Sequence, residues 1–216
     1  MTSGGYASVV LDVDSTLSGV EGIDWLAVRQ DGGLGAKVSA LTDRAMRGEI
    51  PLSSVYGERV RMVNPSRDDV AALADMYQSM LAPGAAQAVR RLHDAGRRVV
   101  VVSGGIREAI LPLTSSLGIG DGEVHAVRVT FTPEGRFASY DAESPLTTSE
   151  GKRTVVEQLA LRKRVLAVGD GATDLAMKPA VDLFAAYTGF VNRAAVAAAA
   201  DVAIDSFDQI VELALG

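Results

Sequence analysis

The stretch ASVVLDVDST, residues 7–16, decides the fold class of this chain. Its first half is apolar with little alternation, which is typical of a strand buried on both faces of a parallel sheet. Asp12 and Asp14 follow at once, and their spacing of two points both side chains to the same side of an extended chain. Because ligands bind outside the carboxyl ends of parallel strands, the stretch predicts an α/β protein with a functional loop after its first strand.

Three further polar segments lie where an apolar run ends or a helix begins. SGG, residues 103–105, follows four valines, and GK, residues 151–152, stands at a predicted helix start. GDGATD, residues 169–174, follows the apolar run Val165–Val168. We expect these segments to meet the two aspartates of the first loop at one edge of the sheet. Carboxylates, a hydroxyl group and an ammonium group in one crevice suit phosphoryl transfer assisted by a divalent metal.

The size and composition of the chain narrow the class of protein. With 216 residues it suits one core with an insertion better than two complete domains. Its net charge of −6 argues against nucleic acid and anionic membrane as partners, since both attract basic surfaces. The absence of cysteine excludes a thiolate nucleophile and a thiolate metal site. Because the start MTSGGY lacks a secretory-signal pattern and no apolar run reaches the ~18 residues of a membrane span, we expect a cytoplasmic protein.

A long helical stretch separates the first strand from the next comparable one, Val99–Val102. Apolar residues recur there at helical spacing, and Ser66 begins a capping-box pattern. The stretch is too long for a single crossover helix. We therefore predict that residues 17–79 form a helical-bundle cap, inserted into an α/β core that comprises residues 1–16 and 80–216. The predicted cap helices are centred on Ile23–Val28, Val38–Ala45, Val55–Val63 and Val70–Tyr77.

The remaining elements of the predicted core alternate between helices and strands, which is typical of a parallel sheet with helices on its faces. We expect residues 103–105 to open a helix. The turn TPEG, residues 132–135, is expected to join Glu123–Phe131 and Arg136–Tyr140 as a hairpin. The other predicted elements are the helices Pro83–Gly96, Lys152–Arg162 and Ala194–Ala200, and the strands Val165–Val168, Val181–Ala185 and Val202–Ile204.

Two neighbouring carboxylates, as in Asp12 and Asp14, can divide a phosphate hydrolysis between them. One attacks phosphorus and forms an aspartyl phosphate, while the other donates a proton to the leaving oxygen and later takes one from water. Alone, an Asp-x-Asp pair equally suits a plain turn, because Asp, Ser and Thr favour turns. The second acidic loop weighs against that alternative, since two facing acidic loops need a cation to offset their repulsion.

The other polar segments each have a functional and a plain structural interpretation. Asp170 and Asp174 offer the hard oxygen ligands that suit Mg²⁺, or else cap the following helix and favour its dipole. Ser103 suits an anion site beside its glycines, or else a plain N-cap. Lys152 at a helix N-terminus opposes the dipole, and a phosphate or the Asp12 carboxylate beside it would offset that cost.

The motifs DVDSTL, SGG, GK and GDGATDL, in this order and spacing, resemble those of the haloacid-dehalogenase superfamily of aspartate-nucleophile phosphatases. Within it, EGIDWLA, LTDRAMRGEIPL, ERV and NPSRDDV resemble the phosphoserine phosphatase family. The resemblance extends over nearly the whole chain and implies a Rossmann-like parallel sheet flanked by helices, with an inserted helical-bundle cap. It also implies a magnesium-dependent phosphomonoesterase that hydrolyses O-phospho-L-serine through an aspartyl phosphate, the last step of serine biosynthesis.

The same resemblance assigns the catalytic and metal-binding roles. It implies that Asp12 is the nucleophile and a metal ligand. Asp14 becomes the general acid and base, and its main-chain carbonyl also binds Mg²⁺. Asp170 completes the metal ligands, with Asp174 supporting from nearby, and Lys152 helps to hold the phosphoryl group.

A second set of residues is implied by the resemblance to contact the substrate. They are Ser103, Gly104 and Gly105 at the phosphoryl group, Glu21 at the amino group, Arg59 at the carboxylate, and Met46, Thr173 and Arg193 elsewhere in the site. Independently, a zwitterionic amino acid requires one acidic and one basic partner, and Arg gives bidentate recognition of a carboxylate. As plain alternatives, Glu21 is a helix-start acid, Arg59 a solvated helix residue and Met46 a core residue.

Three positions depart from the family pattern, while the catalytic positions are intact. Arg47, Leu52 and Val127 stand where the family usually has glycine, an aromatic residue and asparagine. Two alternatives therefore accompany the expected substrate. One is a phosphatase or phosphotransferase of the same fold that acts on another small phosphomonoester. The other is a non-catalytic sensor of magnesium and a phosphorylated ligand, against which the intact Asp12 and Asp14 count.

Overall fold

A parallel sheet forms the centre of the molecule in the computed structural model, which describes residues 5–30 and 32–216. Its strands are β1 (Ser8–Leu11), β2 (Arg98–Ile106), β3 (Val124–Val127), β6 (Val165–Gly169), β7 (Leu183–Tyr187) and β8 (Val202–Ile204). They lie side by side in the order β3-β2-β1-β6-β7-β8, and all neighbours are parallel. A separate antiparallel pair joins β4 (Val129–Phe131) to β5 (Phe137–Tyr140).

The position of β1 in this sheet determines where the first acidic loop lies. All four residues of β1 are buried, as its apolar sequence predicts for a central strand. Ser8 is in register with Arg98 of β2 and with Val165 of β6. The carboxyl end of β1 therefore lies between the carboxyl ends of β2 and β6, which brings three of the four polar segments to one edge of the sheet.

Five α-helices lie between β1 and β2 in the described part of the chain, the first four of them within residues 17–79. They are α1 (Gly22–Gln30), α2 (Gly32–Met46), α3 (Tyr56–Val63), α4 (Arg67–Ser79) and α5 (Ala85–Asp94). The capping box that Ser66 predicts is confirmed, because Ser66 and Asp69 exchange hydrogen bonds at the start of α4. α1 packs against α2, α3 and α4. We call residues 17–79 the helical segment, and its assignment as a separate cap domain stays a prediction.

The second half of the chain supplies the helices that pack with the later strands. They are α6 (Arg107–Ser116), α7 (Gly151–Gln158), α8 (Ala172–Leu175), α9 (Ala194–Ala199) and α10 (Phe207–Leu215), with short 3-10 turns at Leu52–Ser54, Asp121–Glu123, Pro145–Thr147 and Lys178–Ala180. α10 begins at a capping box made by Ser206 and Gln209, and it is not among the predicted elements. Within the described residues, no helix is both long enough and apolar enough to cross a membrane.

Two expectations about the sheet were wrong. Residues 103–105 do not open a helix, because β2 continues through them to Ile106, which pairs with Val127 of β3 after an irregularity in register. Residues 123–131 are not one strand of a hairpin. Val124 pairs in parallel with Val101 of β2, and only β4 pairs with β5. In both cases pairing between distant strands decided the outcome, and that pairing leaves little trace in the local sequence.

The boundaries of two other elements also differ from expectation. α7 ends at Gln158 instead of Arg162, because Leu159 already has an extended backbone. β7 begins at Leu183 instead of Val181, and the preceding Asp182 accepts a hydrogen bond from the main chain of Val165. These shifts lie at the sheet end opposite the polar loops, so they do not affect the site described next.

Candidate active site

One cavity lies at the carboxyl edge of the sheet, where the helical segment covers the strand ends. It brings together residues from the predicted motifs and from the helices between β1 and β2. Its lining residues are Asp12, Asp14, Glu21, Ile23, Met46, Leu52, Tyr56, Arg59, Gly104, Leu146, Thr148, Lys152, Asp170 and Thr173. The four polar segments of the sequence therefore meet in one place, as expected for the edge of a parallel sheet.

Asp12 is the first residue after β1 and is held there by the sheet itself. Its main-chain N–H donates to the carbonyl of Val168 in β6 over 3.0 Å. Its carboxylate is buried, and Oδ1 lies 2.6 Å from Nζ of Lys152. The same ammonium group lies 2.6 Å from Oδ1 of Asp174. One lysine thus bridges carboxylates from the first and the last acidic loop.

Lys152 is a buried cation whose charge is stabilised by its two neighbours. Burial alone would lower its pKa, but the charges of Asp12 and Asp174 outweigh burial and raise it. These contacts also offset the cost of placing a cation in the first turn of α7. The helix start fits closely there, because a side chain at Gly151 would collide with the carbonyl of Pro145. Lys152 has an unfavourable position at a helix start, which suggested that Asp12 or a phosphate lies beside it. In the structure Asp12 does lie there.

The environment of Asp14 favours the protonated form of its carboxyl group. Its Oδ1 accepts hydrogen bonds from the hydroxyl of Tyr77 over 2.6 Å and from the main-chain N–H of Gly22 over 3.0 Å. Burial raises the pKa of Asp14 to about 8, helped by the nearby charges of Glu21 and Asp12. Near neutral pH this residue can therefore donate a proton, as a general acid must.

Three buried carboxylates could hold a metal ion. Asp12, Asp170 and Asp174 each place one oxygen within 4.8 Å of the others. Burial, and then the charge of Asp12, raise the pKa of Asp174 to about 7, although Lys152 opposes the shift. A further cation would relieve this accumulation of negative charge. Because the donors are all hard oxygens, the residues fit a hard divalent cation.

Each of the two later aspartates also has a structural contact. Asp174 Oδ2 accepts a hydrogen bond from the main-chain N–H of Gly171 over 2.9 Å at the start of α8. The alternative interpretation, that this aspartate caps the helix, therefore holds as well. Asp170 Oδ1 accepts from the hydroxyl of Thr16 over 3.2 Å. Asp170 Oδ2 contacts the guanidinium group of Arg193. The second acidic loop is therefore tied to the first one and to the start of α9.

The helical segment contributes a charged pair on the other side of the cavity. The Arg59 side chain is only 5% exposed, and its Nη2 lies 3.3 Å from Oδ1 of Asp24, which also accepts from the hydroxyl of Thr42. The Nε atom of Arg59 is buried and has no hydrogen-bond partner among the described residues. Arg59 is thus a buried residue of the cavity wall, which excludes the solvated-surface interpretation.

Glu21 lies on the same side and has two partners. Its Oε1 accepts from the hydroxyl of Ser15 over 2.8 Å and from Nη2 of Arg193 over 3.2 Å. Burial raises the pKa of Glu21, while the charge of Arg193 opposes the shift. Arg193 does not line the cavity directly, but it connects Glu21 to Asp170 behind it.

The remaining predicted residues have different positions relative to the cavity. Gly104 lines it, and so do Met46 and Thr173, whose Sδ and Oγ1 atoms are 4.0 Å apart. Ser103 is fully buried, and its Oγ accepts from the main-chain N–H of Gly105 over 3.0 Å. Its hydroxyl group therefore supports the stretch of β2 where the register with β3 is irregular, and a role at the phosphoryl group stays a prediction.

Comparison with known proteins agrees with this geometry. The model of the haloacid dehalogenase-like hydrolase family matches residues 9–178. The chain belongs to this family. Among its curated relatives is the phosphoserine phosphatase of Rattus norvegicus, which is 36% identical over 86% of this chain and 83% of its own length. The chloroplastic phosphoserine phosphatase of Arabidopsis thaliana is 38% identical over 94% of this chain and 70% of its own length.

Solved structures support the haloacid dehalogenase-like fold independently. A substrate-bound phosphoserine phosphatase has a TM-score of 0.81 at 24% identity, covering 96% of this chain and 97% of that one. A phosphoserine phosphohydrolase-like protein from Francisella tularensis has a TM-score of 0.87 at 21% identity, covering 95% and 98%. The α/β fold class is thereby confirmed, and the curated relatives confirm the resemblance to phosphoserine phosphatases.

The three departures from the family pattern have different consequences in this hydrolase. Arg47 is exposed and pairs with Glu49 over 2.6 Å, so its side chain points into solvent. Val127 is buried in β3. Leu52 lines the cavity, and of the three it is the one that contacts the space available to a ligand.

Sequence reasoning missed four residues that shape the site. They are Asp24, Thr42, Tyr56 and Tyr77, which support Arg59, Gly104 or Asp14 from within the helical segment. The hydroxyl of Tyr56, for example, donates to the carbonyl of Gly104 over 2.8 Å. A tyrosine on the apolar face of a helix gives no local sign of a polar partner on another element, so only the packing reveals these contacts.

Proposed function

We propose that the protein hydrolyses O-phospho-L-serine to L-serine and phosphate in the cytoplasm, as the last step of serine biosynthesis, with Mg²⁺ as cofactor. The observation that supports this most strongly is the arrangement of Asp12, Lys152 and Asp14. A carboxylate in contact with a buried cation shares one cavity with a carboxyl group whose pKa is raised by burial to about 8. This is the set of groups that a covalent phosphatase mechanism needs.

In the first step an oxygen of Asp12 attacks phosphorus. The new bond forms as the bond between phosphorus and the serine oxygen breaks, and the electron pair stays on that oxygen. Asp14 gives its proton to the departing oxygen, so that a neutral alcohol leaves instead of an alkoxide. Lys152 holds Asp12 in place and faces the negative charge of the phosphoryl group.

In the second step water hydrolyses the aspartyl phosphate. Asp14, now a carboxylate, takes a proton from the water whose oxygen attacks phosphorus. The bond between phosphorus and the Asp12 oxygen breaks, which restores the Asp12 carboxylate and releases phosphate. The same residue thus acts first as acid and then as base, and the two carboxylates return to their initial state.

The oxygen ligands in the cavity support the proposal that Mg²⁺ is the cofactor. Asp12, Asp170 and Asp174, with the main-chain carbonyl of Asp14, would hold Mg²⁺. When bound, Mg²⁺ supplies positive charge that offsets the charge of the phosphoryl group and of the surrounding carboxylates. The excess of carboxylates over ammonium and guanidinium groups in the cavity is the reason to expect a dependence on this ion.

The helical segment supplies two charged groups that would select a small amino-acid phosphate as substrate. Glu21 can pair with an ammonium group, and Arg59 has a free Nε donor that can bind a carboxylate. Both groups are largely removed from water, which strengthens their interactions with a ligand. A phosphorylated protein would not fit beneath these helices, so we expect free amino-acid phosphates to be the substrates.

Phosphate release from a panel of phosphomonoesters tests the proposal. The panel contains both enantiomers of O-phosphoserine, O-phosphothreonine, a sugar phosphate and p-nitrophenyl phosphate, each with Mg²⁺ and with excess chelator. We expect the largest kcat/KM for O-phospho-L-serine and no turnover in chelator. A preference for a substrate without an amino group would contradict the substrate, and transfer to an added alcohol would identify a phosphotransferase. Binding without any turnover would indicate a sensor.

A further inference from the structure

Asp14 is held by two donors of the helical segment, and both act on the same oxygen. The hydroxyl of Tyr77, on α4, and the main-chain N–H of Gly22, at the start of α1, donate to Oδ1 over 2.6 and 3.0 Å. Within the described part of the chain, these are the hydrogen bonds that the Asp14 carboxyl group accepts. Tyr77 itself is fully buried and lies 63 residues away in sequence.

The other oxygen of this carboxyl group faces the sheet edge. A Cβ atom built on Gly105 would lie 3.1 Å from Oδ2, in the stretch of β2 that carries the expected phosphoryl-binding residues. Because Oδ1 already accepts two hydrogen bonds, Oδ2 is the Asp14 oxygen left to exchange a proton with a ligand at this edge of the sheet.

We propose that Tyr77 is a positioning residue for Asp14, whose hydroxyl group holds Oδ1 and thereby directs Oδ2 toward the leaving oxygen of the phosphomonoester. The inference rests on the proposed function for the role of Asp14 as general acid. It assigns to Tyr77 a role that neither the sequence motifs nor the cavity lining indicates, because Tyr77 lies behind Asp14.

The chemical step explains what the two donors contribute. As the bond between phosphorus and the leaving oxygen breaks, that oxygen keeps the electron pair and takes the proton from Oδ2, while Asp12 supplies the new bond to phosphorus. The carboxylate that remains on Asp14 still accepts both hydrogen bonds at Oδ1. Hydrogen bonds to a charged acceptor are stronger than those to a neutral one, so Tyr77 stabilises the deprotonated product of this step.

Close packing around the Tyr77 hydroxyl indicates a specific fit. A side chain at Gly22 would collide with this hydroxyl, so a glycine at that position leaves the room that Tyr77 needs to reach Asp14. A plain alternative is that a buried hydroxyl simply takes the nearest acceptor, as buried polar groups generally do. In that case Tyr77 would affect stability, and its removal would not depend on the leaving group of the substrate.

The test compares Tyr77→Phe with the natural protein on phenyl phosphate and 2,4-dinitrophenyl phosphate. The two substrates have similar shapes, but the phenolate of the first is a poor leaving group that needs a proton, and the second leaves readily without one. General acid catalysis typically contributes about 10²–10⁴-fold, so we expect kcat/KM for phenyl phosphate to fall by about tenfold or more. We expect the loss for the dinitrophenyl ester to be at most about threefold.

A matched control removes another buried tyrosine hydroxyl. Tyr6 lies before β1, at the sheet end opposite the cavity, where its hydroxyl accepts from Nη2 of Arg164 over 3.1 Å. Tyr6→Phe should leave kcat/KM unchanged on both esters, and circular dichroism with Tm reports the folding of both variants. If Tyr77→Phe does not fold, Gly22→Ala serves instead, because its methyl group displaces the Tyr77 hydroxyl while Tyr77 remains.

The outcomes separate this inference from the proposed function. Equal losses of kcat/KM on the two aryl phosphates, or no loss on either, would overturn the role of Tyr77. Failure of the natural protein to hydrolyse O-phospho-L-serine would overturn the proposed substrate, while the comparison of the aryl phosphates would still decide the role of Tyr77.

Discussion

The two sides of the cavity differ in how their charged residues are positioned. On the sheet side, Asp12 and Lys152 contact each other directly. Asp12 follows the end of a strand and Lys152 lies at the start of a helix, and the local sequence predicts both positions. On the side of the helical segment, Arg59 is positioned by Asp24, a residue of another helix. In the proposed function, the nucleophile and its lysine therefore depend on short motifs, whereas the arginine proposed to bind the substrate depends on the packing of helices. Variants on the two sides should therefore fail in different ways.

The largest effect is expected on the sheet side, for Asp12→Asn. An amide cannot attack phosphorus as a carboxylate does, so kcat should fall by at least about 10³-fold, as for the loss of other catalytic nucleophiles. Steady-state phosphate release measures the loss, and calorimetry measures whether substrate still binds. Asp75→Asn on the exposed face of α4 is the matched control and should retain full activity. Near-normal turnover by Asp12→Asn would contradict the covalent mechanism.

A somewhat smaller effect is expected for Asp170→Ala, which removes a predicted metal ligand from the same side. The Mg²⁺ concentration for half-maximal activity should rise about 100-fold or more, because even residues that only orient metal ligands change affinity by about 10–100-fold. Titration of activity with Mg²⁺ measures this shift. An unchanged Mg²⁺ dependence would show that Asp170 is only the partner of Arg193.

On the helical side, Arg59→Ala should distinguish substrates that Asp12→Asn does not. We expect kcat/KM for O-phospho-L-serine to fall by more than about tenfold, since loss of one partner of a buried charged hydrogen bond costs on the order of 2–5 kcal/mol. The loss should be much smaller for p-nitrophenyl phosphate, which has no carboxylate. Arg61→Ala, exposed on the same helix, is the control. Equal losses on both substrates would make Arg59 a structural residue and remove the contrast between the two sides.

The smallest effect concerns the stability of the metal-free protein. The pKa values of Asp14 and Asp174 are raised by burial to about 8 and about 7, so the folded protein holds protons that the unfolded chain has released above about pH 4. Its free energy of unfolding should therefore fall as pH rises from about 4 to about 8. In chelator, we expect Tm to fall by several degrees across this range, and Mg²⁺ to raise Tm more at pH 8 than at pH 5. A Tm that rises with pH in chelator would contradict the burial of these acids.

The contrast between the two sides also explains how much the sequence predicted. The strand ends that precede Asp12 and Asp170 were predicted correctly, because an apolar run followed by a polar loop is a local signal in the sequence. The extension of β2 through residues 103–105 was missed because it depends on pairing with β3. Tyr77 belongs to the predicted helix Val70–Tyr77, but its contact with Asp14 joins residues that are distant in sequence. Contacts of this kind follow from packing, which residue spacing does not reveal.

Trapping the phosphorylated enzyme would show directly whether Asp12 is the nucleophile. The protein is mixed with O-phospho-L-serine and Mg²⁺, quenched in acid within the first turnovers, digested, and analysed by mass spectrometry. We predict one phosphoryl group on Asp12, which is absent from Asp12→Asn and from a sample prepared in chelator. Phosphate release with no phosphoryl group on Asp12, or with the group on another residue, would contradict the account.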